Sequence, residues 1–261
     1  MNKTIYRRGP KHRSEDEFVS FREVRERFGF YSVNIGRWVT QHEQIDAALH
    51  FYDALCDLQS ILQVPNFVIS LRGTLALHYG TGGRPGVAAH YSPAEHVFAL
   101  AKNAGPGSIA HEWFHAFDHY IAQYAFTENE LNSSLSSDFA SKRWLKNDAI
   151  KEHALNERLY YCFQCILLDD TGQSPSALFQ HSVEQDKRLG IVYYAKPEEM
   201  CARAFEAFIQ DAAIKNSFLV SGTKLSDDAK LGLYPTGRQR QAINQAFNDY
   251  FSALGLALKH L

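Results

Sequence analysis

The residues best able to do chemistry occupy five consecutive positions, His111-Glu112-Trp113-Phe114-His115. On a helix, residues four apart lie one above the other, so both imidazoles can reach one zinc ion. Glu112 lies beside them, where it can take a proton from a water molecule on the metal. The spacing predicts His111 and His115 as metal ligands and Glu112 as the catalytic base. The alternative is a structural histidine pair satisfied by hydrogen bonds.

A catalytic zinc site needs a third protein ligand and one open position. A later helix, predicted to begin at Pro197, carries a polar row on one side, formed by Glu199, Arg203, Glu206 and Gln210. Glu199 and Glu206 face the same way, so either carboxylate can be the third ligand. Without the histidine motif, the same row is typical of a solvated helix face with salt bridges between residues four apart.

Four more residues are candidates for orienting a ligand or a substrate group. Asp118 follows His115 by three positions, and Arg203 lies between the two glutamates. Tyr193 and Tyr194 precede the glutamate helix, where one of them can donate a hydrogen bond to a developing oxyanion. The alternatives are a solvent-exposed aspartate near a helix end, and core packing for at least one of the tyrosines.

The elements that must position these residues follow from hydrophobic periodicity. Apolar residues at helical spacing behind the histidines predict a helix over 108–124, and further helices are predicted at 14–28, 41–63, 148–168, 197–214 and 237–258. Short apolar runs predict strands at 67–71, 75–79, 87–91 and 97–100, and a polar run predicts a loop at 132–137. The expected fold class is α+β, mostly helical, with a small sheet next to the active-site helix.

Composition limits the functional classes. The chain has 261 residues, 45% of them hydrophobic, with 27 lysines and arginines against 29 aspartates and glutamates. The net charge of −2 argues against a dedicated nucleic-acid binder. Residues 1–13 are basic and are expected to be a flexible terminus that binds an anionic partner, such as nucleic acid, weakly at most. Residues 14–261 are expected to form a single domain.

The sequence also indicates a compartment. No apolar run reaches the length of a membrane span, and the first residues have no hydrophobic stretch typical of a secretory signal. The four cysteines do not suggest a disulfide framework, and Cys162 and Cys165 are expected to be packed in a helix rather than bound to metal. The expected compartment is the cytoplasm.

The order of the two motifs resembles a known class of enzyme. Glu199-Met200-Cys201-Ala202, following the histidine motif, resembles the zincin metallopeptidases of the glutamate-ligand type, in which a Glu-x-x-Ala-like helix supplies the third ligand. More closely, the chain is similar to the large polyvalent protein-associated domain of phage and conjugative-element proteins and to its stand-alone bacterial relatives. The stretches that carry this second resemblance are 28–33, 36–39, 69–73, 89–91, 107–118, 197–208 and 234–237.

The resemblance implies a zincin-like fold, a zinc ion as cofactor and hydrolysis of a protein or peptide substrate. Its Glu-x-x-Ala pattern favours Glu199 over Glu206 as the third ligand. Zincins lay an extended peptide along a sheet edge, for which Ala88-Ala89-His90-Tyr91 is the candidate strand, the alternative being a hairpin that only packs against the helix. The alternative function is a non-catalytic interaction module of a mobile element or host-defence system, with structural or absent zinc.

The histidine spacing generates a first prediction. The purified chain should bind about one zinc ion, and replacing either His111 or His115 with alanine should abolish stoichiometric binding, because each removes one of three protein ligands. Metal analysis of the native protein and both variants measures this. Unchanged zinc content in both variants would contradict the assignment.

Overall fold

The computed structural model describes residues 5–14, 17–81, 89–102, 107–127 and 138–259. Within these ranges the chain is mostly helical with a small mixed sheet, so the predicted α+β class is confirmed. The helices are α1 (Phe21–Phe28), α2 (Gln41–Leu62), α3 (Asn66–Ile69), α4 (Ile109–Ala125), α5 (Ala140–Leu145), α6 (Ala154–Leu167), α7 (Ala177–Leu189), α8 (Pro197–Asp211), α9 (Asp227–Lys230) and α10 (Gly237–Leu258). None of these described helices combines the length and apolarity needed to cross a membrane.

The strands are short and form two sheets. They are β1 (Arg7–Arg8), β2 (Val33–Ile35), β3 (Ala76–Tyr79), β4 (Ala89–Ser92), β5 (Val97–Leu100) and β6 (Lys215–Asn216). The larger sheet has the order β2-β3-β5-β4, with β2, β3 and β5 parallel and β4 antiparallel to β5 at the edge. The predicted strands at 75–79 and 97–100 are confirmed. Val87 and Ala88 of the predicted edge strand, and the predicted loop at 132–137, lie outside the described residues.

Local sequence explains where several helices begin and end. Ser20 and Thr40 cap α1 and α2, each in a capping box with the glutamate three positions later. Helix α1 therefore begins at Phe21 rather than at the predicted Ser14, while its predicted end at Gly29 is confirmed by a left-handed C-cap. Glu15 and Asp16 lie outside the described residues. Pro197 occupies the first turn of α8, as predicted.

The prediction of a strand at 67–71 is wrong, because this segment contains the single helical turn α3. An apolar run of this length does not distinguish a strand from a buried helical turn. Leu71, Arg72 and Gly73 then adopt positive φ angles in succession and reverse the chain. The turn also has a partner on α4, since the indole Nε1 of Trp113 donates to the carbonyl of Ile69 at 2.9 Å.

The expectation of a flexible basic terminus needs correction for residues 5–13. Arg7 and Arg8 form β1, which pairs antiparallel with β6. The fully buried carboxylate of Asp57 accepts hydrogen bonds from the Arg7 guanidinium at 2.7 Å and from Asn216 at 2.9 Å, and it contacts His12 at 2.7 Å. A buried carboxylate without partners is costly, so this side chain holds the terminus against α2 and β6.

The histidine-bearing helix α4 is buried on its apolar side by α8 and α10. Phe114 packs against Phe205 of α8 with a ring-centroid distance of 4.8 Å and against Phe247 of α10 at 5.7 Å. Trp113 stacks on Phe205 at 5.5 Å. This aromatic cluster fixes the two helices relative to each other, and the polar rows of α4 and α8 meet beside it.

The start of α4 is held by the segment 216–221. The amide of Gly107 donates to the carbonyl of Phe218 at 3.1 Å, and that of Ala110 donates to the carbonyl of Leu219 at 3.0 Å. Gly107 has a φ of +110°, and a Cβ at this position would lie 2.3 Å from Ser221 Oγ and 2.7 Å from Ser221 N. Glycine is therefore required where the chain enters α4.

This close approach generates a prediction of stability. Replacing Gly107 with alanine should lower the free energy of unfolding by about 1–3 kcal/mol, through backbone strain and overlap with Ser221. Gly190→Ala is the matched control, because Gly190 has a φ of +67° but no atom within 4 Å of an added Cβ. Strain alone should cost the control about 1 kcal/mol. Urea unfolding measures both losses, and equal losses would show that the contact with Ser221 is unimportant.

Candidate metal centre

The polar rows predicted on two separate helices meet between α4 and α8. His111 and His115 lie on α4, and Glu199 lies in the first turn of α8. Among the described residues, this is the one group of three histidine, cysteine or acidic side chains whose potential ligand atoms all lie within 4.8 Å of one another. The structure thus brings together the two histidines of the motif and the carboxylate of the Glu-x-x-Ala segment.

The two imidazole Nε2 atoms and the Glu199 carboxylate, with both of its oxygens, lie at the corners of a triangle. His111 Nε2 lies 3.0 Å from His115 Nε2 and 3.4 Å from Glu199 Oε2, and His115 Nε2 lies 3.5 Å from Glu199 Oε1. Ligands of a tetrahedral zinc ion are separated by about 3.3–3.5 Å, as follows from zinc–ligand bonds of about 2.0–2.1 Å. Two imidazoles and one carboxylate at this spacing fit a zinc ion.

One oxygen in this cluster is also left without a hydrogen bond. Glu199 is 9% exposed, and its buried Oε2 has no hydrogen-bond partner of good geometry among the described residues. A buried carboxylate oxygen in this state is costly unless a cation or a donor approaches it. The orphaned atom therefore supports the fit of a cation at the triangle.

Glu206 lies behind His111 rather than in the triangle. Its Oε2 accepts a hydrogen bond from His111 Nδ1 at 2.9 Å, and the hydroxyl of Tyr234 donates to the same oxygen at 3.2 Å. This arrangement fixes the His111 ring so that Nε2 points towards His115 and Glu199. The sequence offers Glu206 as the alternative candidate for the third ligand. Its observed contact with Nδ1 instead suits a carboxylate that orients a metal-binding histidine.

The buried charges of the cluster shift several pKa values. Burial alone would lower the pKa of His111, but the charges and hydrogen bonds of Glu206 and Glu199 raise it to about 10. Burial lowers the pKa of His115 to about 3, and the charge of His111 adds to the effect. For Glu199 the effect of burial is overcome by His111 and His115, which lower its pKa to about 2. The cluster therefore combines an excess of carboxylate charge with one neutral imidazole, a setting that favours a cation.

Glu112 lies next to the triangle and faces the sheet edge. Burial raises the pKa of its carboxyl to about 7, with the charges of Glu199 and Glu206 acting in the same direction. The backbone of Tyr91 in β4 lies near this carboxyl and acts in the opposite direction, lowering its pKa. The Tyr91 hydroxyl also bonds His119 Nδ1 at 2.9 Å, which ties β4 to α4. A carboxyl with a pKa near neutrality suits a group that must both accept and release a proton.

Of the other predicted residues, one lies near the ligand atoms and two support the helix that carries Glu199. The Tyr193 hydroxyl lies close to Glu199. Burial raises its pKa most, and the charge of Glu199 and hydrogen bonding to Glu199 raise it further. Arg203 is buried and donates to the carbonyls of Leu233 and Tyr194, and its guanidinium lies 5.5 Å from the Tyr194 ring. Tyr193 is therefore the tyrosine near the ligand atoms, while Tyr194 and Arg203 support the start of α8.

Asp118 is buried and holds a neighbouring helix. Its two oxygens accept hydrogen bonds from the amide of Ser141 at 2.9 Å and from the Ser141 hydroxyl at 2.5 Å. These bonds anchor the start of α5, and the preceding Phe139 packs its ring 5.8 Å from that of His115. Asp118 thus acts on the site through α5, which places an aromatic ring beside a predicted metal ligand.

Three contributions were not predicted from the sequence. They are the Glu206–Tyr234 pair behind His111, the Tyr91 backbone near Glu112 and the Phe139 ring at His115. Tyr234 and Tyr91 each lie in a stretch that carries the family resemblance, which was their one signal in the sequence. The contacts themselves depend on backbone and ring positions that periodicity does not report, and Phe139 had no signal.

The contact behind His111 generates a prediction of metal affinity. Glu206→Gln should weaken zinc binding by about 10–100-fold, because an amide no longer stabilises the orienting hydrogen bond to Nδ1 as a carboxylate does. Glu199→Gln should weaken binding more, since it changes a ligand. Glu198→Gln is the matched control on the same helix turn and should leave affinity unchanged. Chelator competition measures all three, and a weaker effect at Glu199 than at Glu206 would reverse the two roles.

Comparison with known proteins gives one match. Residues 185–258 match the family model of large polyvalent protein-associated domain 1. The matched segment begins in α7 and ends with α10, so it contains Glu199, Glu206 and Tyr234 but not the histidine helix. No curated protein sequence and no solved structure matches the chain. The finding supports the resemblance of this segment to the large polyvalent protein-associated domain.

Proposed function

We propose that the chain is a zinc-dependent peptidase, with His111, His115 and Glu199 holding the metal and Glu112 acting as general base. The observation that carries the proposal is the triangle of His111 Nε2, His115 Nε2 and the Glu199 carboxylate, in which the two Nε2 atoms are 3.0 Å apart and each lies 3.4–3.5 Å from a different Glu199 oxygen. A zinc ion bound there would polarise a substrate carbonyl and lower the pKa of a bound water. Two histidines and a glutamate are a ligand set used by catalytic zinc sites.

The side chains around the triangle support hydrolysis of a peptide bond. Glu112 can take a proton from the attacking water and carry it to the leaving nitrogen, for which a pKa of about 7 is suitable. Tyr193 keeps its proton at neutral pH, because burial and Glu199 raise its pKa, and can donate a hydrogen bond to a developing oxyanion. The edge strand β4, whose Tyr91 backbone lies near Glu112, offers a surface for an extended substrate.

The second candidate function is a non-catalytic interaction module. The observation that favours it is the match of residues 185–258 to a domain family named for its association with polyvalent proteins. In that case zinc would be structural or absent, and Glu112 would have no proton to move. The two functions differ in what the native, zinc-loaded chain does to peptides.

Glu112→Gln tests the catalytic proposal. The variant should keep its zinc but lose turnover by about a hundredfold or more, because an amide of nearly the same size cannot accept the proton. Glu95→Gln, a similar change at an exposed carboxylate in the β4–β5 turn, is the matched control and should behave as native. Substrates are found by digesting unbiased peptide libraries and by comparing proteomes of cells that express the native and variant forms.

Two outcomes would decide against parts of this proposal. If Glu112→Gln cleaves as fast as the native chain, the role given to Glu112 is wrong. If native protein with full zinc occupancy cleaves nothing in either screen, the interaction module becomes the better account.

A further inference from the structure

The longest exposed apolar run among the described residues lies directly before α8. Val192 is 77% exposed, and Leu189, Ile191 and Tyr193 are 51%, 44% and 41% exposed. Single exposed apolar side chains are normal on protein surfaces, whereas a contiguous group marks a site of interaction. We call residues 189–193 the apolar loop.

The apolar loop is held in a fixed conformation. The carboxylate of Asp186, which is almost fully buried, accepts hydrogen bonds from the amides of Tyr193 at 3.1 Å, Tyr194 at 2.9 Å and Ala195 at 2.9 Å. Arg203 binds the carbonyl of Tyr194 from the other side. Because the backbone is ordered before any partner arrives, binding to the exposed side chains loses little conformational entropy.

The apolar loop is continuous with the candidate metal centre. Tyr193 ends the loop and has its hydroxyl at Glu199. Consecutive Cα atoms are about 3.8 Å apart. The Cα atoms of Ile191 and Val192 therefore lie no more than two peptide units from that of Tyr193, whose side chain is close to the centre. An extended polypeptide with one bond at the triangle would reach the loop within a few residues.

The chemistry of the apolar loop indicates what it can recognise. The amide of Ile191 donates to the carbonyl of Asp186 at 3.1 Å, and the three amides that follow Val192 are bound by the Asp186 carboxylate. These amides are not available for strand addition, so the exposed side chains must carry recognition. Lys187 and Arg188 are exposed beside the loop and disfavour a cationic partner.

We propose that the apolar loop binds an aliphatic side chain of the substrate polypeptide, so that cleavage occurs near aliphatic rather than basic residues. This inference rests on the proposed peptidase function, because the occupant is the chain whose bond lies at the metal centre.

The first arm of the test measures cleavage. A random-sequence peptide library is digested with the zinc-loaded full chain, and the products are sequenced by mass spectrometry. Leucine, isoleucine or valine should be enriched at one fixed position within a few residues of the cut. The double variant Ile191→Ser/Val192→Ser should lower kcat/KM for such peptides about tenfold through a higher KM, since two aliphatic contacts are lost. Leu256→Ser removes an exposed leucine from the last turn of α10 and should change nothing.

The second arm measures binding without catalysis. The same peptides are immobilised and probed with Glu112→Gln protein, with and without the two serine substitutions. Peptides with aliphatic residues should be retained by the first protein and lost by the second. Absence of any aliphatic preference, or a preference that survives the serine substitutions, would overturn the inference. If the native chain cleaves no peptide, the peptidase proposal fails, and the binding arm still decides whether the loop recognises aliphatic segments.

Discussion

The structure depends on one constraint, the burial of two imidazoles and two carboxylates between α4 and α8. Charged groups removed from water destabilise a fold by several kcal/mol unless they are paired. Here His111 contacts Glu206 through Nδ1 and faces Glu199 through Nε2, while His115 faces the other oxygen of Glu199. The aromatic packing of Phe114 on Phe205 fixes the helices beside this cluster, so the polar rows cannot separate without loss of the core.

Other elements hold α4 at its start and near its middle. At the start of α4, Asn216 accepts hydrogen bonds from the amides of Phe218 and Leu219 and donates to Asp57. The carbonyls of Phe218 and Leu219 in turn accept from Gly107 and Ala110. One line of hydrogen bonds thus joins α2 to the entrance of α4. Further along α4, Asp118 fixes α5 through Ser141, and α5 brings Phe139 to His115.

Much of the site could be predicted because helical spacing alone places its residues. His111 and His115 share a face of α4, and Glu199 and Glu206 share a face of α8, whatever the rest of the fold does. Helical spacing could not distinguish the two glutamates, because the distinction is which ring nitrogen of His111 each one faces, Nε2 for Glu199 and Nδ1 for Glu206. Only the resemblance favoured Glu199 as the ligand.

The wrong predictions of the fold concern segments whose structure depends on partners distant in the sequence. The apolar run at 67–71 becomes a helical turn whose Ile69 carbonyl receives the indole of Trp113. The basic terminus becomes ordered because Asp57, some fifty positions later in the chain, needs Arg7 and His12. Neither partner can be recognised from local sequence, in contrast to the capping boxes at Ser20 and Thr40, which set helix starts within four residues.

The segment that matches the family model contains only part of the candidate site. Residues 185–258 supply the carboxylates, the Tyr234 hydroxyl and the apolar loop, whereas the two imidazoles and Glu112 come from a helix outside that segment. Buried carboxylates such as Glu199 and Glu206 need a cationic or hydrogen-bonding partner, and in this chain α4 provides it. A protein with the matched segment alone would keep the carboxylates but would have neither the imidazoles nor Glu112, to which we assign metal binding and proton transfer. The proposed chemistry therefore depends on the contact between α4 and α8 rather than on either segment alone.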